Sequence, residues 1–137
     1  MVKNSVIQLF LRRMLIDNME RDALQIPIFY ENTEAENLNG TFILEQLIPL
    51  DDKCFSGLFE AGSGIYKITV FSNVGDGLAF SDLCDTIANY FTKGAYDINE
   101  NYRVCIDDVF VTGTIYGRNE DKIQKSINVE YRKFLNR

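Results

Sequence analysis

The sequence predicts an α+β domain, a two-layer sandwich in which two helices pack on one face of a mostly antiparallel or mixed sheet. Three observations lead to this fold class: two segments repeat apolar residues at helical spacing, several shorter segments alternate apolar and polar residues, and the segments follow the order α-β-β-(β)-β-α-β-β. The chain has 137 residues and no repeat or linker that would divide it. Residues 1–137 are therefore expected to form a single domain.

The first helix is predicted over residues 4–19, and its apolar stripe consists of Ile7, Phe10, Leu11, Met14 and Leu15. Pro27 requires that this helix has ended by that point. Residues 26–30 then favour a short strand, and the polar, acidic residues 31–40 favour an exposed loop.

Residues 41–49 alternate as a strand, for which we expect Phe42, Leu44 and Ile48 on one face and Glu45 on the other. Residues 51–64 are glycine-rich and predicted to be irregular. Within them, the apolar pairs at 54–55 and 58–59 indicate either a short strand or a mobile hairpin.

Residues 65–72 form the clearest predicted strand, with Tyr66, Ile68 and Val70 on one face. A turn at 75–77 should lead into a second helix over residues 78–92, with Asp76 as N-cap and Gly94 as the C′ residue. Residues 102–115 predict one long strand or two short ones. Residues 122–134 predict the closing strand.

The composition excludes several classes of function. With 20 acidic and 14 basic residues the net charge is −6, which disfavours a nucleic-acid binder. The chain has no histidine, so histidine triads and histidine metal ligands are excluded. The three cysteines are odd in number and widely spaced, which is typical of reduced thiols. The sequence lacks both the apolar block of a signal peptide and a membrane-spanning run, so we expect synthesis in a cytoplasm.

Three pairs of neighbouring acids are the strongest candidates for chemistry: Asp51 with Asp52, Asp107 with Asp108, and Asp82 with Asp85. Adjacent residues on a strand point to opposite faces, so Asp107 and Asp108 should diverge. Asp82 and Asp85 lie one helical turn apart, where a shared cation is the alternative to two solvated side chains. We interpret all three pairs as solvated, and the sequence predicts no catalytic residue, no metal and no cofactor.

Two glycine motifs, at 62–64 and 75–77, lack the lysine of a Walker loop and the third glycine of a dinucleotide fingerprint. Both are interpreted as tight turns. Cys84 falls in the apolar stripe of the second helix and is expected to be a buried packing residue.

The order of elements and one stretch resemble a known family. The stretch runs through Gly64-Ile65-Tyr66-Lys67-Ile68-Thr69-Val70-Phe71, the turn Gly75-x-Gly77-Leu78, and Leu83-x-Asp85-x-Ile87 with Phe91, and the chain closes on Ile127-Asn128-Val129-Glu130-Tyr131-Arg132. This pattern resembles the phage tail-terminator-like family, the relatives of the lambda-type protein U and of prophage minor tail proteins.

The resemblance implies a non-enzymatic structural protein that forms a ring, usually of six copies, which caps the tail tube, ends its polymerisation and offers a surface to the head. The implied partners are further copies of the chain, the major tail tube protein and a head-joining protein, with DNA passing through without specific binding and no membrane. The implied location is the virion tail, assembled in the host bacterial cytoplasm. Loops 31–40 and 51–63 resemble the family's variable loops, so the partner interface is expected to include Glu31, Glu34, Glu36, Asn37, Asp51, Asp52, Lys53, Phe55, Leu58 and Phe59.

Three alternatives stay open from the sequence. The first is another phage neck protein, which joins the tail to the head or completes the head. The second is an acidic, non-catalytic binding module, and the third is an enzyme. An enzyme that uses only carboxylates and a metal would require convergence at Asp82/Asp85 or Asp107/Asp108.

Overall fold

The computed structural model describes residues 4–30, 40–50, 53–55, 59–73, 77–98, 102–116 and 122–135. Within these ranges the chain forms two helices and eight strands, an α+β fold as predicted. The helices are α1 (Asn4–Arg21) and α2 (Gly77–Ala88). The strands are β1 (Ile28–Tyr30), β2 (Phe42–Pro49), β3 (Lys53–Phe55), β4 (Phe59–Asn73), β5 (Tyr96–Ile98), β6 (Tyr102–Val111), β7 (Ile115–Tyr116) and β8 (Lys122–Leu135).

The strands form one mixed, curled sheet, a half-barrel, whose main path runs β1-β2-β4-β8-β6-β5. β1 is parallel to β2, and the other pairs in the described residues are antiparallel. The two longest strands, β4 and β8, lie side by side at the centre and pair from Ala61↔Phe134 to Asn73↔Lys122. The mixed or mostly antiparallel sheet predicted from the sequence is confirmed.

Helix α1 buries one stripe of apolar side chains, Ile7, Leu11, Leu15 and Met19. Their spacing of four residues places them along a single side of the helix. The predicted helix is confirmed and extends two residues beyond the predicted end. Ala23 follows it with a left-handed φ of 56°, and the Leu24 N–H donates to the Met19 carbonyl, which satisfies one of the orphan carbonyls at the helix end.

The prediction that residues 51–64 are irregular is wrong for most of that segment. β3 pairs with the start of β4, and β4 itself begins at Phe59, so the motif at 62–64 lies in a strand and is not a tight turn. Gly64 pairs with Tyr131, whose ring occupies the space that a Cβ at position 64 would need. An added Cβ would lie 2.2 Å from the tyrosine oxygen and 2.8 Å from the Ile48 carbonyl oxygen, so glycine here permits close contact between strands.

The second helix is shorter than predicted. It ends at Ala88, where the Tyr90 and Phe91 N–H groups donate to the Ile87 and Ala88 carbonyls in tight turns. Gly94 has a left-handed φ of 89°, but it lies too far beyond the helix end to be the C′ residue. Its N–H donates instead to the Ile106 carbonyl and leads into β5, a strand that the sequence reasoning missed. The proposed N-cap, Asp76, lies outside the described residues.

One core cluster contains the buried side chains of both helices and those of one face of strands β2, β4, β6 and β8. Tyr66, Ile68 and Val70 belong to it, as predicted for the central strand. The remaining long strand predictions are confirmed: β8 covers the predicted closing segment, and residues 102–115 divide into β6 and the start of β7. No helix among the described residues has the length and apolar character needed to span a membrane.

Candidate functional site

The interface residues expected from the resemblance fall mostly outside the described residues. This applies to Glu31, Glu34, Glu36, Asn37, Asp51, Asp52 and Leu58. Lys53, Phe55 and Phe59 lie on the paired backbone of β3 and β4, where the structure does not describe their side chains. Their role therefore stays a prediction.

The two described acid pairs are exposed or bound to separate partners. Asp82 and Asp85 are exposed on α2. Asp107 and Asp108 lie at a register irregularity of β6 and have different partners: Asp107 accepts a hydrogen bond from Arg132 Nε at 2.7 Å, and Asp108 accepts one from the Val109 N–H at 2.9 Å. No group of three or more potential metal ligands exists within the described ranges. The pair Asp51 and Asp52 lies outside those ranges.

The two described cysteines are free thiols in different surroundings. Cys84 is buried in α2 as predicted, and burial raises the pKa of its thiol to about 11. A thiol with such a pKa is almost fully protonated at neutral pH, which makes it a packing residue. Cys105 is half-buried on β6.

The structure buries one carboxylate, that of Glu45, in the core. Glu45 is 0 % exposed and points into the core between Ile43 and Leu47, whereas Phe42 and Leu44 are half-buried and Ile48 is exposed. The predicted division, with Phe42, Leu44 and Ile48 on one face and Glu45 on the other, is confirmed, but the face that carries Glu45 is the one that meets the core. Both faces of β2 carry apolar residues, so hydrophobicity alone did not indicate which of them meets the core.

Glu45 is held by four donated hydrogen bonds. Arg12 donates two of them, from Nε at 2.9 Å and from a terminal nitrogen at 2.6 Å, and Gln8 Nε2 donates a third at 2.7 Å. The Tyr66 hydroxyl donates the fourth. The other side of the Arg12 guanidinium faces the Tyr30 ring, with the charge 4.1 Å from the ring centroid.

The charges in this group perturb the partners of the carboxylate. The hydrogen bonds to Glu45 raise the pKa of Arg12, which stays charged. Burial, assisted by the nearby carboxylate charge, raises the pKa of the Tyr66 hydroxyl, so it acts as a neutral donor. Because each oxygen of Glu45 accepts two bonds and the group lies between helix and sheet, the arrangement fixes α1 against β1, β2 and β4 and offers no free base or nucleophile.

The face of the sheet opposite the core carries a basic and aromatic surface, which we call the outer surface. Its members are Phe29, Phe42, Leu44, Gln46, Lys67, Phe71, Lys122 and Gln124, whereas the polar side chains Thr69, Ser126 and Asn128 on the same face are buried and are not part of it. Phe42 and Phe71 stack with ring centroids 4.7 Å apart, and Phe29 meets Phe42 edge-on at 6.0 Å. Lys122 Nζ lies 5.4 Å from the Phe42 centroid.

Large apolar side chains are exposed mainly at the margins of the molecule. Tyr30 lies on the edge strand β1 and is 36 % exposed, and Tyr96 lies on the opposite edge strand β5 and is 59 % exposed. Leu78, in the first turn of α2, is 87 % exposed. The others are Leu9, Ile48, Leu50, Phe110 and Ile115.

Comparison with known proteins supports the fold and gives no function. No family model matches the chain, and no curated protein matches it. Among the solved structures that match is a protein that bears no functional name, with a TM-score of 0.71 and 14% sequence identity over 100% of this chain and 98% of that chain. At this level of identity the likeness shows the fold alone.

Proposed function

We propose that this chain is a non-enzymatic structural protein of a long-tailed phage or prophage, a tail-terminator-like protein that forms a ring on the end of the tail tube. The ring ends tube polymerisation and offers the surface to which the head joins. Its partners are further copies of the chain, six in all as the family resemblance implies, together with the major tail tube protein and a head-joining protein.

The finer architecture belongs to this proposal: a two-layer sandwich in which both helices lie on one face of the sheet. It is supported by the core cluster, because Leu11 and Leu15 of α1 and Cys84 and Ile87 of α2 share that cluster with one face of the four longest strands. The opposite face, with the outer surface, is then left for contacts between molecules.

One observation carries the functional proposal: within the described residues the main path of the sheet ends in two edge strands, and these two edges differ. One edge is a short strand parallel to its neighbour with Tyr30 exposed, and the other is a short antiparallel strand with Tyr96 exposed. Unpaired sheet edges favour association with other chains. Because the two edges are not alike, contacts between copies are expected to be head-to-tail, and such contacts form rings when they close.

The dimensions suit a ring around DNA. A globule of 137 residues has a diameter on the order of 35 Å, and six touching globules leave an opening of about the same width. A net charge of −6 removes the main attraction between proteins and phosphates, so DNA should pass through such an opening without being held.

Phage particles assembled without this protein test the proposal. We expect tails of abnormal and variable length, because the tube lacks the ring that ends its growth, and electron microscopy measures that length directly. Particles complemented with the wild-type chain are the control. Tails of normal length that fail to join heads would contradict the proposal and support the alternative, a neck protein that joins or completes the head.

A further inference from the structure

We propose that the outer surface of one copy binds the exposed side of helix α2 of a second copy. This inference rests on the proposed function and deepens it by naming a contact between neighbouring copies in addition to the sheet edges.

The outer surface is basic on an acidic protein. Its charged members are Lys67 and Lys122, and it contains no acidic residue. The whole chain has a net charge of −6, so the remaining residues carry a net −8. On the same sheet face Glu130 follows Asn128 along β8 and pairs with Asp108 of β6, so these two acidic side chains border the outer surface on one side. The outer surface is thus expected to attract the more acidic surfaces of another copy.

The outer surface also offers apolar area. Phe29, Phe42 and Phe71 form a continuous aromatic group across β1, β2 and β4, and all three are only partly buried. Aromatic side chains contribute much of the binding energy in protein interfaces when a partner excludes water from them. A fitting partner therefore combines an apolar side chain with acidic ones.

Helix α2 presents this combination on one side. Leu78, Asp82 and Asp85 are spaced four and three residues apart, which places them along one stripe, and all three are exposed. The twelve residues of α2 include no basic residue. Lys125 hydrogen-bonds to Ser81 at 3.1 Å from the neighbouring strand, on the side of the helix that faces the sheet.

The two surfaces lie on opposite sides of the sheet. α2 packs over β6 and β8 on the core face, whereas the aromatic group of the outer surface lies on β1, β2 and β4 on the opposite face. One copy therefore cannot satisfy both surfaces by itself. Contact between the helix of one copy and the outer surface of the next is head-to-tail, which is the arrangement that closes into a ring.

A second copy fits the outer surface better than a nucleic acid does. Binding to nucleic acid depends on many lysine or arginine contacts to phosphates, and this surface has two lysines on a chain of net charge −6. Lys122 is also engaged within the molecule, since its Nζ donates to the Gly40 carbonyl and to Asn73 Oδ1, each at 3.2 Å.

Charge reversal with sedimentation velocity tests the contact. We expect Lys67→Glu and Asp82→Lys each to raise the Kd of self-association at least about tenfold at low salt, because attraction becomes repulsion. The double variant, which exchanges the two charges, should return to within about threefold of the wild type. Asp17→Lys reverses an exposed acid on α1 and is the matched control, with no effect expected.

A second pair of variants tests the apolar part. Leu78→Ser should weaken self-association about tenfold or more, because Leu78 is the apolar group of the contact, whereas Leu9→Ser on α1 should not. Both side chains are exposed, so neither change should alter thermal unfolding. For every variant, binding of an oligonucleotide and the temperature of thermal unfolding are measured as well. These two measurements show whether the outer surface instead binds nucleic acid or stabilises its own chain.

The outcomes separate this inference from the proposed function. Closed rings whose formation none of the variants alters would overturn the inference and leave the function standing. A protein that stays monomeric at all concentrations and on tube ends would overturn both. If the protein binds the oligonucleotide and Lys67→Glu abolishes that binding, the outer surface is a nucleic-acid site and the inference is contradicted. If Lys67→Glu unfolds at a lower temperature but associates normally, Lys67 serves the stability of its own chain, and the inference is likewise contradicted.

Discussion

Removal of the Arg12 guanidinium should destabilise the protein far more than removal of its exposed neighbour. Glu45 is 0 % exposed, and the Arg12 side chain, 26 % exposed, supplies two of the four hydrogen bonds to it and the only full positive charge among those donors. In Arg12→Met the carboxylate stays buried with two neutral donors. Breaking a buried ion pair by removing one partner costs about 3–5 kcal/mol.

The lower end of that range applies here, because a quarter-exposed arginine leaves a path by which water reaches Glu45. We expect a loss of about 3 kcal/mol, which for a domain of this size lowers Tm by roughly 10 °C. The assay is urea unfolding followed by circular dichroism, with Arg13→Met, an exposed residue on the same helix, as the control. The control should change the free energy of unfolding by less than about 0.5 kcal/mol.

A double variant separates the charge from the packing. Arg12→Met with Glu45→Gln removes both charges and should recover about 1–2 kcal/mol relative to Arg12→Met alone, because no unpaired charge is left in the core. If Arg12→Met is as mild as Arg13→Met, or if the double variant is the least stable of all, the reasoning about the buried carboxylate is refuted.

Two further predictions concern stability. Gly64→Ala should cost about 2 kcal/mol in chemical unfolding, because the new Cβ would overlap Tyr131, whereas Gly113→Ala, which meets nothing within 4 Å, should be nearly neutral. Tyr90 donates a hydrogen bond to Asp22 at 2.7 Å, and this bond, followed by that from Arg21, lowers the pKa of Asp22 below its ordinary 3.8. A carboxyl group whose pKa is lowered in the folded state contributes stability above its unfolded-state pKa, and this contribution is lost as the pH falls through its folded-state pKa. The difference in stability between wild type and Tyr90→Phe should therefore shrink below about pH 4. An undiminished difference at pH 2 would contradict this assignment.

The sequence predicted most of the fold because its longest elements have clear periodicity. Helix α1, the central strand and the closing strand carry one apolar face each; the bounds of α1 and of the closing strand and the end of the central strand were predicted within two residues. The extension of β4 back to Phe59 was missed because its glycines favour turns locally, and only the cross-strand contact of Gly64 with Tyr131 shows why glycine is needed there. Tertiary packing overrides the local preference at that position.

The buried carboxylate could not be predicted by the same means. A glutamate in an alternating strand normally faces solvent, and its burial here depends on Arg12 and Gln8 reaching it from a helix more than thirty residues away in the chain. A weak signal existed: both residues lie near the apolar stripe of α1, and a helix that packs on β2 needs a partner for any polar group at the contact. The outer surface could not be predicted from the sequence either, because its members come from strands that only the register of the sheet brings together.

The central claim is that copies of this chain associate head-to-tail into a closed ring. Negative-stain electron microscopy of the purified protein, concentrated and then added to purified tail tubes, measures this most directly. The account predicts rings with a central opening, both free and seated on one end of each tube, and tubes that stop growing once capped. Open filaments, dimers with twofold symmetry, or bare tubes that continue to grow in an excess of the protein would contradict it.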